Sequence, residues 1–95
     1  MLKIEHIKGE NKGKIMLYAL STCVWCKKTK KLFDKLGVEY SFVYVDLLDE
    51  DNSSKIMDEI KRWNPRRSFP TTVINDKTCI VGYKEDEIKE ALNHE

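Results

Sequence analysis

Cys23 and Cys26 stand three residues apart, with Val24 and Trp25 between them. Residues i and i+3 at the start of a helix share one face, so their sulfurs can bond with little backbone strain. Unpaired N–H groups and the positive end of the helix dipole favour a thiolate at the first of the two positions. Cys26, one turn in, is expected to face the core and keep its proton longer. The chemistry this predicts is thiol–disulfide exchange, with Cys23 attacking a substrate disulfide and Cys26 resolving the mixed disulfide. A structural zinc half-site is the competing reading. It needs four N or S ligands, and the other soft donors, Cys79, His6 and His94, have no paired spacing. Cys79 reads as a small apolar residue of a strand, not as a third redox thiol.

Such a pair needs elements that place it at a helix start. The apolar run Ile15 to Leu20 reads as a buried strand, and Ser21-Thr22 follow it with two good N-cap residues. A helix over 24–36 comes next and stops at Gly37. Cys26, Thr29, Phe33 and Leu36 lie on its inner face with Leu32 beside them, and Lys27, Lys28, Lys30, Lys31 and Lys35 cover the rest. Those lysines read either as a solvated face or as a surface for an acidic partner. The strand Tyr40 to Val45 turns Tyr40, Phe42 and Tyr44 to one side and Ser41, Val43 and Val45 to the other. Asp49 to Ser53 enter a second helix over about 51–63, with Ile56, Ile60 and Trp63 in phase. Asn64-Pro65 break it. Thr71–Ile74, the turn Asn75-Asp76-Lys77 and Thr78–Val81 make a hairpin, and Glu85–Leu92 a last helix. At the front, a strand at about 2–7 and the turn-rich 9–13 suggest a hairpin back into the 15–20 strand. The expected fold is α/β: a four-stranded mixed sheet with an extra N-terminal strand, flanked by three helices, in one domain over 1–95 with 1–14 as an extension.

Composition narrows the partners. Seventeen basic against sixteen acidic residues leave +1, so bulk charge favours neither nucleic acid nor a membrane surface. No apolar run approaches the roughly 20 residues of a membrane span, and the first six residues carry no apolar signal region. Three cysteines suit a reducing compartment better than a disulfide scaffold. A cytoplasmic monomer is the expectation.

With Cys23-Val24-Trp25-Cys26 after a first strand, Phe69-Pro70 before the hairpin and Val81-Gly82-Tyr83 before the last helix, the chain resembles the glutaredoxin-like redoxins of the thioredoxin superfamily over about Ile15 to Leu92. The resemblance implies the thioredoxin fold and a cis Pro70 close to the active sulfurs. It also implies that the Phe69 backbone pairs with the substrate chain like an added strand. Gly82 and Tyr83 then border the cleft, Arg66 and Arg67 lie beside it, and Trp25 forms part of an exposed docking surface. Arg67 is a candidate partner for a substrate carboxylate. Glutaredoxins that use glutathione usually carry a lysine three residues before the first cysteine, and often Gly-Gly-x-Asp after the last strand. Here those positions read Leu20 and Val81-Gly82-Tyr83-Lys84, which counts against glutathione. The pattern is closer to the redoxins dedicated to ribonucleotide reductase.

The resulting reading is a protein disulfide reductase whose only cofactor is its own dithiol, recharged by a thioredoxin-reductase-like or ferredoxin-dependent disulfide reductase. A glutathione-dependent glutaredoxin, an iron–sulfur or metal carrier and a non-catalytic binding module are the alternatives; an intact cysteine pair argues against the last.

Overall fold

The computed structural model describes residues 4–93, so Leu2 and His94 lie outside the described residues. Five strands form one sheet in the order β1-β3-β2-β4-β5. They are β1 (Glu5–Ile7), β2 (Ile15–Ala19), β3 (Tyr40–Tyr44), β4 (Thr71–Ile74) and β5 (Thr78–Val81). The helices are α1 (Val24–Leu36), α2 (Glu50–Trp63) and α3 (Glu85–Asn93), with a single 3₁₀ turn at Val45–Leu47. Central β2 runs parallel to β3 and antiparallel to β4, and β4 is antiparallel to β5. This is the thioredoxin fold with its sheet extended by β1.

Side-chain alternation along the strands separates two cores. Leu17, Tyr40, Phe42, Ile74 and Ile80 pack under Phe33 of α1 and Ile88 and Leu92 of α3. Tyr18, Val43, Val45 and Val73 face the other way, onto Ile56 and Ile60 of α2, with Trp63 half-buried at the margin. The inward faces expected for the helices and for β3 are the ones observed.

The N-terminal strand exists but does not pair as expected. It runs antiparallel to β3, with Glu5 opposite Phe42 and Ile7 opposite Tyr40. Both edges of β2 are already occupied, by β3 and β4, and β1 adds to the outer edge of β3 instead. The lead-out crosses the end of α1. There Glu10 N–H donates to Gly37 O at 2.8 Å and Glu39 N–H donates to Glu10 O at 2.9 Å. Gly9 is required at this crossing, because a Cβ there would sit 2.7 Å from the carbonyl oxygen of Gly37. No helix among the described residues is long and apolar enough to cross a membrane.

Candidate active site

The strand β2 ends at Ala19, and a turn carries the chain from Leu20 to the helix. Cys23 itself, not Ser21 or Thr22, is the N-cap of α1, and its sulfur accepts the Cys26 N–H at 3.2 Å. Ser21 is engaged elsewhere. Its N–H donates to Asp46 Oδ1 at 2.8 Å and its hydroxyl donates to Asp46 Oδ2. The Ser21 hydroxyl, helped by its N–H, holds the Asp46 carboxyl below the usual carboxylate range. Cys23 N–H closes the turn on Leu20 O at 3.2 Å. The first cysteine is thus fixed by its own backbone, by the helix it caps and by a carboxylate reaching over from the end of β3.

The two sulfurs sit in different surroundings. Cys23 is half-buried and Cys26 is 2% exposed, and both are free thiols. Burial first, then the hydrogen bond with Cys23 and the nearby charges of Cys23 and Asp46, push the Cys26 thiol up to about 12. The two thiols thus differ in burial within one turn of α1, the second being the enclosed one.

Phe69, Pro70, Gly82 and Tyr83 gather near this turn, because Thr71 pairs with Tyr18 at the end of β2 and with Val81 at the end of β5. The Phe69–Pro70 bond is cis. Pro70 is buried, and Phe69 packs between the two cores. Gly82 N–H donates to Pro70 O at 2.8 Å, which ties the β5–α3 turn to the proline loop. Gly82 has a φ of +86° with open space around it, so backbone conformation and not crowding calls for glycine. Tyr83 stacks on Trp25, with ring centroids 6.0 Å apart, and its hydroxyl donates to Glu85 at 2.9 Å. Trp25 is 55% exposed and Val24 62%, so an apolar surface surrounds the thiol. Arg66 and Arg67 are exposed, and neither makes an ion pair with a described residue.

Two organising residues escaped the sequence reading. Asn64 is buried at the C-cap of α2. Its Nδ2 donates to Ser68 O at 3.2 Å, Ser68 Oγ at 3.1 Å and Thr71 Oγ1 at 3.1 Å, and its Oδ1 accepts the Arg66 N–H at 3.2 Å. This one side chain shapes the loop that delivers Phe69 and Pro70. Asp46 is the other. The signal for Asn64 was the Asn-Pro step itself, where an amide at a helix end can serve the loop that follows. Cys79 lies half-buried on β5, beside a groove of about 510 Å³ toward α3 that contains neither active cysteine. Among the described residues no three His, Cys, Asp or Glu side chains stand together as a metal site.

Fold and site together define a dithiol oxidoreductase of the thioredoxin fold. The family model for glutaredoxins matches residues 15–79. Methanoredoxin from Methanosarcina acetivorans is 55% identical, and the likeness covers 90% of each chain with a TM-score of 0.88. The glutaredoxin from Methanosarcina mazei Go1 is 52% identical over 95% of this chain and 87% of its own, with a TM-score of 0.89. Glutaredoxin-C6 from Oryza sativa subsp. japonica is 31% identical over 81 residues, covering 85% of this chain and 67% of that protein. The chain belongs to the glutaredoxin family and is a thiol–disulfide oxidoreductase, working with disulfide substrates and a reductase as such redoxins do.

Proposed function

We propose that the chain reduces disulfides within proteins and uses glutathione poorly. Leu20 and Lys84 carry the reading: one offers no charge where glutathione-using relatives usually hold a lysine, and the other puts a cation where they often hold an acid. Losing a charge-assisted contact costs on the order of 1.5–3 kcal/mol, so two such changes weaken glutathione by roughly a hundredfold or more. A protein substrate relies instead on the backbone of Phe69 and on the apolar surface of Val24 and Trp25, which these changes leave alone. The family resemblance puts Arg67 beside the same cleft, and its exposed side chain is open to a substrate carboxylate.

The thiolate of Cys23 attacks one substrate sulfur, the substrate S–S bond breaks, and the departing sulfur takes a proton. Two of the influences that hold Cys26 protonated come from Cys23. Both ease once Cys23 is neutral in the mixed disulfide, while burial, the larger cause, stays. Cys26 then loses its proton and attacks Cys23, and the second substrate thiol departs. The dithiol is the whole redox group. A thioredoxin-reductase-like or ferredoxin-dependent reductase returns the two electrons to a monomer in a reducing cytoplasm.

The test compares insulin reduction under dithiothreitol with turnover of a glutathione mixed disulfide coupled to glutathione reductase. Good activity in the first and poor activity in the second is expected. Equal turnover in the two would replace this reading with a glutathione-dependent one. Cys26→Ser should trap a mixed disulfide through Cys23, and Cys23→Ser should trap none; the reverse would exchange their roles.

A further inference from the structure

We propose that a lysine-lined groove beside Trp25 is the docking site for an acidic segment flanking the disulfide that Cys23 attacks; this rests on the protein-disulfide reading above. Lys28, Lys31 and Lys35 recur along one stripe of α1. With Tyr83 and Glu85 opposite and Leu32 as its buried floor, they enclose a groove of about 300 Å³. The groove begins at the rim of the dithiol. Lys28 Nζ lies 4.7 Å from the centre of the Trp25 ring, the same ring that stacks on Tyr83.

The positive charge in this groove is only partly compensated, since Glu85 in its wall feels Lys35 without a close contact. Among the described residues none of its three lysines forms an ion pair, whereas Lys30 pairs with Asp34, Lys84 with Glu87 and Lys89 with Glu85. Glu85, the carboxylate in the wall, is taken by Lys89 at 2.7 Å and by the Tyr83 hydroxyl at 2.9 Å. The whole chain carries only +1, so the field is local to one helix face beside the reacting sulfur. That favours a short acidic stretch of a protein over nucleic acid, which draws on many phosphate contacts.

Geometry sets where the acids must lie. At 1.5 Å per residue along α1, Lys28 is about 8 Å and Lys35 about 18 Å beyond Cys23. An extended partner chain advances about 3.3 Å per residue. Its carboxylates therefore belong about two to five residues from its own reactive cysteine, on one side of it. Arg66 and Arg67, on the proline loop, are not part of this groove.

The probe is a peptide with a single cysteine, oxidised to its symmetric disulfide dimer so that either sulfur carries the same flank. Versions hold Glu, Gln or Lys at positions two to five on one side of the cysteine, and a second set holds them on the other side. Each dimer consumes one reduced protein. Cys23 displaces one peptide thiol and Cys26 the second, two electrons leave as the Cys23–Cys26 bond forms, and the released thiols take one proton from Cys26 and one from solvent. In single turnover the Glu dimer should be reduced about tenfold faster than the Gln dimer, on one side only. The advantage should shrink in about 0.5 M salt. Lys31→Glu with Lys35→Glu should place the Lys dimer ahead of the Glu dimer. Equal rates for Glu and Gln, an advantage on both sides alike, or an order unchanged in the double variant each overturn the groove while leaving the protein-disulfide reading in place. Failure to reduce even the Gln dimer removes both.

Discussion

Replacing Asn64 with Ala should loosen the active site without touching a sulfur. The side chain is 3% exposed; the two hydrogens of Nδ2 are shared among three acceptors on Ser68 and Thr71, and Oδ1 accepts the Arg66 N–H. The Arg66 amide regains water once Asn64 is truncated, so little is lost there. Thr71 Oγ1 keeps its own bond to Ser68 O at 2.7 Å. The cost therefore comes from the bonds of the two Nδ2 hydrogens and the small cavity, on the order of 2–3 kcal/mol. For a domain of this size each kcal/mol moves Tm by about 4–8 °C. A fall of roughly 10–20 °C in calorimetry of the reduced protein is expected. Ser68→Ala is the scale, since it removes a single acceptor from an exposed residue and should cost less than about 1 kcal/mol. The loop so released carries Phe69 and Pro70, so mixed-disulfide formation with a protein substrate should slow several-fold as well. An Asn64→Ala protein that melts no lower than Ser68→Ala would refute the claim that this amide holds the loop.

Three further outcomes follow from the site. The Cys26 thiol, raised from 9.0 to about 12, contributes stability that is complete below about pH 9 and drains away between pH 9 and 12, because the unfolded chain releases that proton first. Chemical denaturation of the reduced protein should thus lose stability with rising pH more steeply than Cys26→Ala, and parallel slopes would contradict the burial argument. Cys79→Ser should leave disulfide turnover within about twofold, since exchange needs only the capping pair; a larger loss in the same insulin assay would give Cys79 a redox role. Leu20→Lys combined with Lys84→Asp should raise glutathione-coupled turnover, and no gain would remove the charge argument against glutathione.

Much of this was legible because single-element patterns carry it. The helix α1 was bounded by a strand, a cysteine pair and Gly37, and its observed ends, Val24 and Leu36, are the expected ones. Alternation along Tyr40–Tyr44 assigned the two faces of β3 correctly. What failed depended on which parts meet. Scattered apolar residues at the N-terminus suggest a strand but not its neighbour, and β2 had no free edge to give. Asp46 looked like the end of a strand, because nothing local reveals a bond to Ser21, 25 residues earlier. Ser21 and Thr22 are good capping residues by type, yet the cysteine whose sulfur meets the Cys26 amide took the position.

Those long-range ties explain how three separate loops behave as one site. Asp46 fixes Ser21, and with it the turn before Cys23. Asn64 fixes the proline loop to the end of α2, and Gly82 fixes that loop to the turn carrying Tyr83. Tyr83 in turn packs against Trp25, inside the cysteine motif. The sheet supplies the ground on which they stand, since they gather where β2 ends and α1 begins, beyond the carboxyl end of the parallel β2–β3 pair, where such sheets open a crevice. A thiol reagent therefore meets Cys23 in a frame held from both sides. Loosening either side should slow attack by misplacing the partner chain more than by changing the sulfur.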